Sequence, residues 1–174
     1  MMYVVKMTNI IIGANSKLAK QLTQFVDGQY LSKEQFNLHN PTFEQFNNID
    51  IDHLIILAKS RSQNLKEVGI VADSVYKLLT TTKYNHAWVF TSGMGTYWGS
   101  NNSDYFMYSC EKMLLNFISY KQNFIKDNIH VLNPGYMGSD SDYANIAKKF
   151  SDLLLNPPEK NLIWSLSTSS YNPY

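Results

Sequence analysis

The stretch Asn9-Ile10-Ile11-Ile12-Gly13-Ala14-Asn15-Ser16-Lys17-Leu18-Ala19 decides the fold. Three consecutive isoleucines suit a strand buried on both faces, since no position in the run is polar. Gly13 ends the run. Leu18, Leu22, Phe25 and Val26 then recur at helical spacing, which predicts a helix over 16–26. A buried strand that turns at glycine directly into a helix is the opening unit of an alternating α/β fold.

The rest of the chain keeps that rhythm. Gln29-Tyr30-Leu31 is a candidate short strand, Phe36-Asn37-Leu38 a short apolar segment, and Pro41 starts one or two helical turns through Phe46. His53–Ala58 is a continuous apolar strand. Val68, Val71, Val75, Leu78 and Leu79 form the buried stripe of a helix over 64–82. Ala87–Phe90 is the next strand, followed by a Gly-, Ser- and Asn-rich loop over 93–103 and a long helix over 104–124. A strand over 129–132, a helix over 141–155 and a last strand over 162–164 complete the pattern. Strands alternating with helices predict a parallel sheet with helices on both faces, a single domain over 1–174.

Composition narrows the function classes. The 15 basic and 14 acidic residues give a formal net charge of +1, which argues against a protein gripping nucleic acid through its phosphates. The lone cysteine, Cys110, excludes an internal disulfide and a thiolate zinc cage; between Tyr108 and Lys112 it reads as packing. No apolar run of about eighteen residues occurs, so no membrane span is expected. The start MMYVVKMTNIIIG lacks the basic region of a signal peptide, so a cytoplasmic location is expected. His39, His53, His86 and His130 lack metal-ligand spacing, so no metal is expected, and His53 and His130 read as structural.

In a parallel α/β sheet ligands bind beyond the carboxyl ends of the strands. The turns to inspect are therefore Gly13–Ser16, Ala58-Lys59-Ser60, Thr91-Ser92-Gly93 and Asn133-Pro134-Gly135. Free N–H groups at the first turn would suit a diphosphate; an ordinary turn capped by Asn15 or Ser16 is the alternative. Tyr108 and Lys112, four residues apart near the start of the long helix, share one face.

Taken in chain order, these residues resemble the short-chain dehydrogenase/reductase family, an NAD(P)-binding Rossmann fold. The resemblance rests on Gly13–Ser16, Asn37–Asn40, Leu57-Ala58, Thr91-Ser92, Tyr108 with Lys112, and Asn133–Ser139. Residues 29–40 are too few for the usual second helix, which resembles the dTDP-4-dehydrorhamnose reductase branch. The resemblance implies an NAD(P)-dependent oxidoreductase that interconverts a carbonyl and an alcohol on a small substrate. Tyr108 would transfer the proton, Lys112 would favour its phenolate and hold the nicotinamide ribose, and Ser92 would hold the substrate oxygen, with Thr91 and Thr96 as alternatives to Ser92. It places Gly13, Asn15, Ser16, Lys17, Leu18, Lys33, Asn37, Ala58, Lys59, Pro134, Gly135, Met137 and Ser139 around the cofactor. Lys17 and Lys33 favour NADPH over NAD, with plain surface charge as the alternative. The helical asparagine that many members use in a proton relay falls at Val71. Tyr97, Trp98, Tyr105, Phe106 and Tyr136 either line a substrate pocket or pack a loop over the sheet. Many relatives pair through helices matching 64–82 and 104–124, which implies a homodimer or homotetramer. The usual dinucleotide turn has three glycines, and here Lys17 and Ala19 occupy two of their places; this loss, Val71 and the short chain favour one alternative, a catalytically degenerate dinucleotide-binding or regulatory module, and the second alternative is a sugar-nucleotide epimerase or dehydratase.

Overall fold

A computed structural model describes residues 8–57, 62–91, 103–134, 137–161 and 163–165. The strands are β1 (Thr8–Ile12), β2 (Gln29–Leu31), β3 (Ile51–Ile56), β4 (Tyr84–Phe90), β5 (Ile129–Asn133) and β6 (Ile163–Ser165). The helices are α1 (Lys17–Leu22), α2 (Leu65–Thr81), α3 (Ser103–Ile125) and α4 (Asp140–Leu155). All six strands lie in one sheet in the order β2-β1-β3-β4-β5-β6, and every pairing is parallel. The parallel α/β sheet expected from the alternation is present, and its architecture is Rossmann-like, as the resemblance implied.

The period of two along each strand sorts side chains into two cores. Ile10, Ile12, Leu54, Ile56, Ala87, Val89 and Ile129 join Val71, Val75, Leu78 and Leu79 of α2 on one face. Ile11, Ile55, Trp88, Phe90 and Leu132 join Leu18 and Leu22 of α1 and Ile146 and Phe150 of α4 on the other. The β2–β3 connection holds no α-helix. A 3-10 turn over Phe43–Phe46 and an Asn37–Asn40 bridge fill it instead, and Phe36 packs edge-on against Phe43 and Phe46. Three aromatic rings there do part of the covering that a helix would do.

Several sequence boundaries need correction. The predicted helix over 16–26 stops at Leu22; the chain then tightens, with Thr23 Oγ1 donating to the Lys20 carbonyl and Val26 N–H to the Leu22 carbonyl. Phe25, expected in the buried stripe, is exposed. β3 runs from Ile51 to Ile56, two residues earlier than expected. β4 begins at Tyr84, because the polar Tyr84-Asn85-His86 pairs with the first half of β3. Phe36-Asn37-Leu38 is a turn, and among the described residues the last strand is Ile163–Ser165, with Leu162 outside them. Among the described residues, no helix is long and apolar enough to cross a membrane.

Away from the carboxyl ends of the strands, three imidazoles stack across the sheet. His53 faces His86, and His86 faces His130, with ring centroids 5.4 and 5.3 Å apart. The Trp88 indole N–H donates to His53 Nδ1 at 3.0 Å. His86 Nδ1 and His130 Nε2 lie 3.1 Å apart, one donating to the other. Burial, reinforced by the neighbouring imidazoles, pushes His130 down to about 4. Burial also lowers His53 and His86, against the opposing pull of Asp52. The native fold therefore holds these rings neutral while the unfolded chain protonates them near pH 6.5. Their contribution is complete above that pH and is lost as pH falls towards 4. Unfolding free energies from urea titrations between pH 7.5 and 4.5 should fall on the acid side, with His130 contributing up to about 1.4 kcal/mol per pH unit. His130→Gln should flatten that slope.

Candidate active site

β1 connects to β2 on one side and the chain then crosses to β3 on the other. That reversal opens a crevice at the carboxyl ends of β1 and β3. The turn after β1 sits in it. Gly13 adopts φ 105°, a conformation that costs any residue with a Cβ. It lets the N–H groups of Gly13 and Ala14 both reach the Leu31 carbonyl at the end of β2, at 3.0 and 3.1 Å. Ser16 is the N-cap of α1, its Oγ accepting from the Ala19 N–H at 3.0 Å; this settles the choice between Asn15 and Ser16, and leaves Asn15 exposed. Leu18 is buried in the core.

Lys17 takes a place where the family pattern has glycine. Its Nζ lies 3.8 Å from Asp140 and 5.6 Å from the centre of the Tyr143 ring. The side chain is thus held against α4. Lys33 is exposed just past β2. Between them Ser32 donates to Glu34 at 2.6 Å. The Asn37 side chain accepts the His39 N–H at 3.0 Å, which shapes the turn over 37–40.

At the end of β5, Pro134 is buried and Met137 packs against the α1–α4 core. Asn133 Oδ1 is buried there with no hydrogen-bond partner among the described residues. Ser139 caps α4: its Oγ accepts from the Asp142 N–H at 3.2 Å, and Asp142 Oδ2 accepts from the Ser139 N–H at 2.9 Å. These bonds hold the Asp142 carboxyl below the usual carboxylate range. The Ser-x-x-Asp spacing of this reciprocal cap is legible in the sequence.

α3 leaves β4 beyond its carboxyl end, so its first turns lie at the same edge of the sheet. Lys112 is only 5% exposed, and its Nζ lies 5.8 Å from the centre of the Tyr108 ring. The ammonium and the phenol therefore share one face, as their spacing predicted. Glu111, 1% exposed, accepts a 2.7 Å hydrogen bond from Ser62, which follows the β3 exit. Sequence reading missed Glu111, because a carboxylate on a helix reads as surface charge. Val71 is fully buried in the core, where it can relay no proton. Ala58, Lys59, Ser92 and Gly135 lie outside the described residues, as do Thr96, Tyr97, Trp98 and Tyr136. Phe106 is more than half exposed.

The geometry defines a Rossmann-like α/β architecture with a tyrosine–lysine pair at the carboxyl edge of the sheet. No protein-family model and no curated protein sequence matches the chain. Solved structures do, and their descriptions include dehydrogenases and reductases. A carbonyl reductase from Pseudomonas aeruginosa PAO1 in complex with NADP superposes with TM-score 0.59 at 12% identity, covering 94% of this chain and 97% of that one. The protein lin1944 from Listeria innocua gives TM-score 0.61 at 9% identity, covering 92% and 100%. A dTDP-4-dehydrorhamnose reductase from Bacillus anthracis in complex with NADP gives 0.58 at 12%, covering 96% and 76%. The chain has the fold of these proteins. The first two are matched over nearly their whole lengths.

Gly13→Ala should lower stability by about 1–2 kcal/mol, read as a reduced denaturation midpoint. Lys17→Met should change it by less than about 0.5 kcal/mol, because the Lys17–Asp140 pair is solvated.

Proposed function

We infer that the chain is an NAD(P)-dependent oxidoreductase interconverting a carbonyl and an alcohol on a small substrate. The observation that carries this reading is the buried Lys112 ammonium beside the Tyr108 ring, at the edge of the sheet where the crevice opens. A free phenol titrates near 10 and is a poor acid or base at neutral pH. A neighbouring ammonium favours the phenolate and so lowers that barrier. The bound dinucleotide supplies the hydride chemistry. Gly13, Asn15, Ser16 and Leu18 would hold its diphosphate at the first turn. Asn37 would lie along the adenosine side, and Ala58 and Lys59 along the β3 exit.

The orphaned Asn133 Oδ1 fits this group, because it is an acceptor at the end of β5 and a carboxamide NH2 is a donor. Pro134, Gly135, Met137 and Ser139 would line that end. Lys112 would also hold the nicotinamide ribose, and Ser92 the substrate oxygen. NADPH is favoured over NAD: Lys33 is exposed just past β2 and Lys17 opens α1 after the first turn, and two of the three structures described above carry NADP. Lys17 would exchange Asp140 for a phosphate.

Calorimetric titration should show NADPH binding, tighter than NADH. Tyr108→Phe should keep that binding and lose about 100-fold or more of the turnover on a panel of small aldehydes and ketones. Binding with no turnover of any carbonyl would favour a regulatory module, and absence of binding would defeat the reading.

The subunit partner is proposed to be a second copy of the chain. Phe106, Met113, Phe117 and Phe124, all exposed, recur at intervals of seven, four and seven along α3, which places them on one stripe. Leu65 and Tyr76 add exposed apolar surface on α2, which packs beside α3. A contiguous apolar face of this kind marks an association surface. Sedimentation should find a dimer or tetramer, and Phe117→Lys should shift it towards monomer without loss of fold.

A further inference from the structure

A carbonyl reduction consumes one solvent proton per turnover: the carbonyl and NADPH plus H⁺ give the alcohol and NADP⁺. Lys112 is buried and Tyr108 half-buried, so that proton needs a route inwards. Val71 offers none. A different chain of bonds reaches the surface from the same turn of α3. Ser62 Oγ donates to Glu111 Oε2 at 2.7 Å. His39 Nε2 lies 3.4 Å from Ser62 Oγ. The Ser62 proton is committed to Glu111, so the pair is completed by His39 Nε2–H donating to Ser62. His39 is 20% exposed, and Glu67 of α2 stands 3.9 Å from its Nε2.

We propose that His39, Ser62 and Glu111 form the proton-supply route to Tyr108. This rests on the oxidoreductase reading above and deepens it. A solvent proton binds His39 Nδ1. The Nε2 proton passes to Ser62 Oγ as the hydroxyl proton of Ser62 passes to the Glu111 carboxylate. Glu111, now neutral, gives its proton to the phenolate left on Tyr108 after the carbonyl oxygen has been protonated. Lys112 stays an ammonium throughout, and His39 regains its starting tautomer by exchange with water. Net, one solvent proton reaches the alcohol oxygen. Glu111 stands three residues beyond Tyr108, where helical side chains are neighbours. Every group in the route can both accept and donate a proton. The three residues come from the turn over 37–40, the β3 exit and α3. They meet only in the fold, at the edge of the sheet that carries the tyrosine–lysine pair.

A carboxylate at 1% exposure is costly to bury, and a glutamine would accept the same bond from Ser62. That contrast supplies the test. Glu111→Gln keeps the bond but cannot carry a proton. The assay follows NADPH oxidation with an activated 1,2-diketone as the probe substrate, beside calorimetric NADPH affinity and thermal melting. Glu111→Gln should melt with the wild type, bind NADPH equally, keep KM for the diketone, and lose about tenfold or more in kcat. His39→Ala should show the same split, and added imidazole should restore its kcat saturably, which a purely structural role would not allow. Wild-type kcat in both variants, or a His39→Ala defect that imidazole does not relieve, overturns the route. Should Glu111→Gln not fold, the imidazole response of His39→Ala decides alone. Tyr108→Phe separates the two levels: a wild type that turns over and a Tyr108→Phe that does not leave the oxidoreductase reading standing when the route fails. A wild type that neither binds NADPH nor reduces the diketone removes both.

Discussion

A parallel sheet imposes one constraint on everything else here: its strands all end along the same edge. Each connection must then cross back over a face, and a crossing helix is the compact way to do it. Both faces are covered, so strands must be apolar on both sides, as Ile10-Ile11-Ile12 and Leu54-Ile55-Ile56 are. The edge that collects the strand ends collects the turns that no crossover hides. Gly13, Asn133 and the start of α3 reach that edge for this reason alone. Function follows from the sheet's polarity before any side chain is considered.

α3 carries three separate loads. One side packs on α2 and β5, and Leu115 on that side lies in the core. Its early turns set Lys112 beside the Tyr108 ring and Glu111 against Ser62. Its outer stripe exposes Phe106, Met113, Phe117 and Phe124. Buried polar groups fix its far end. Asn123 Nδ2 donates to the Ile129 carbonyl at 2.6 Å, and Lys126 Nζ donates to the Leu79 carbonyl at 2.8 Å. Such bonds are expensive to leave unmade, so they hold the helix in one register. That register determines where the tyrosine–lysine pair sits.

The strand–helix rhythm was legible because two-sided burial leaves an unbroken apolar run, as in β1 and β3, and a helix over a sheet leaves a stripe, as in α2. The start of β4 was not, since Tyr84-Asn85-His86 is polar and its strand character comes only from pairing with Ile51–His53. The early end of α1 was hidden for the opposite reason: Phe25 keeps helical spacing while its side chain faces solvent. The shared face of Tyr108 and Lys112 was legible because helix geometry fixes what four residues mean. Glu111 with Ser62 was not, because 49 residues separate partners that only topology brings together. The histidines divide likewise: His53 and His130 read as structural and are buried among hydrogen-bonded rings, yet nothing in the sequence says that they stack with His86.

β2, an outermost strand, is three residues long, against five to seven for the inner four. An outer strand presents unpaired N–H and C=O groups that can template another chain. Three residues offer too short a ladder to compete with water. That edge of the sheet is thereby guarded against adding a strand from a neighbouring molecule and growing into a fibre. Length, rather than charge or proline, supplies that protection.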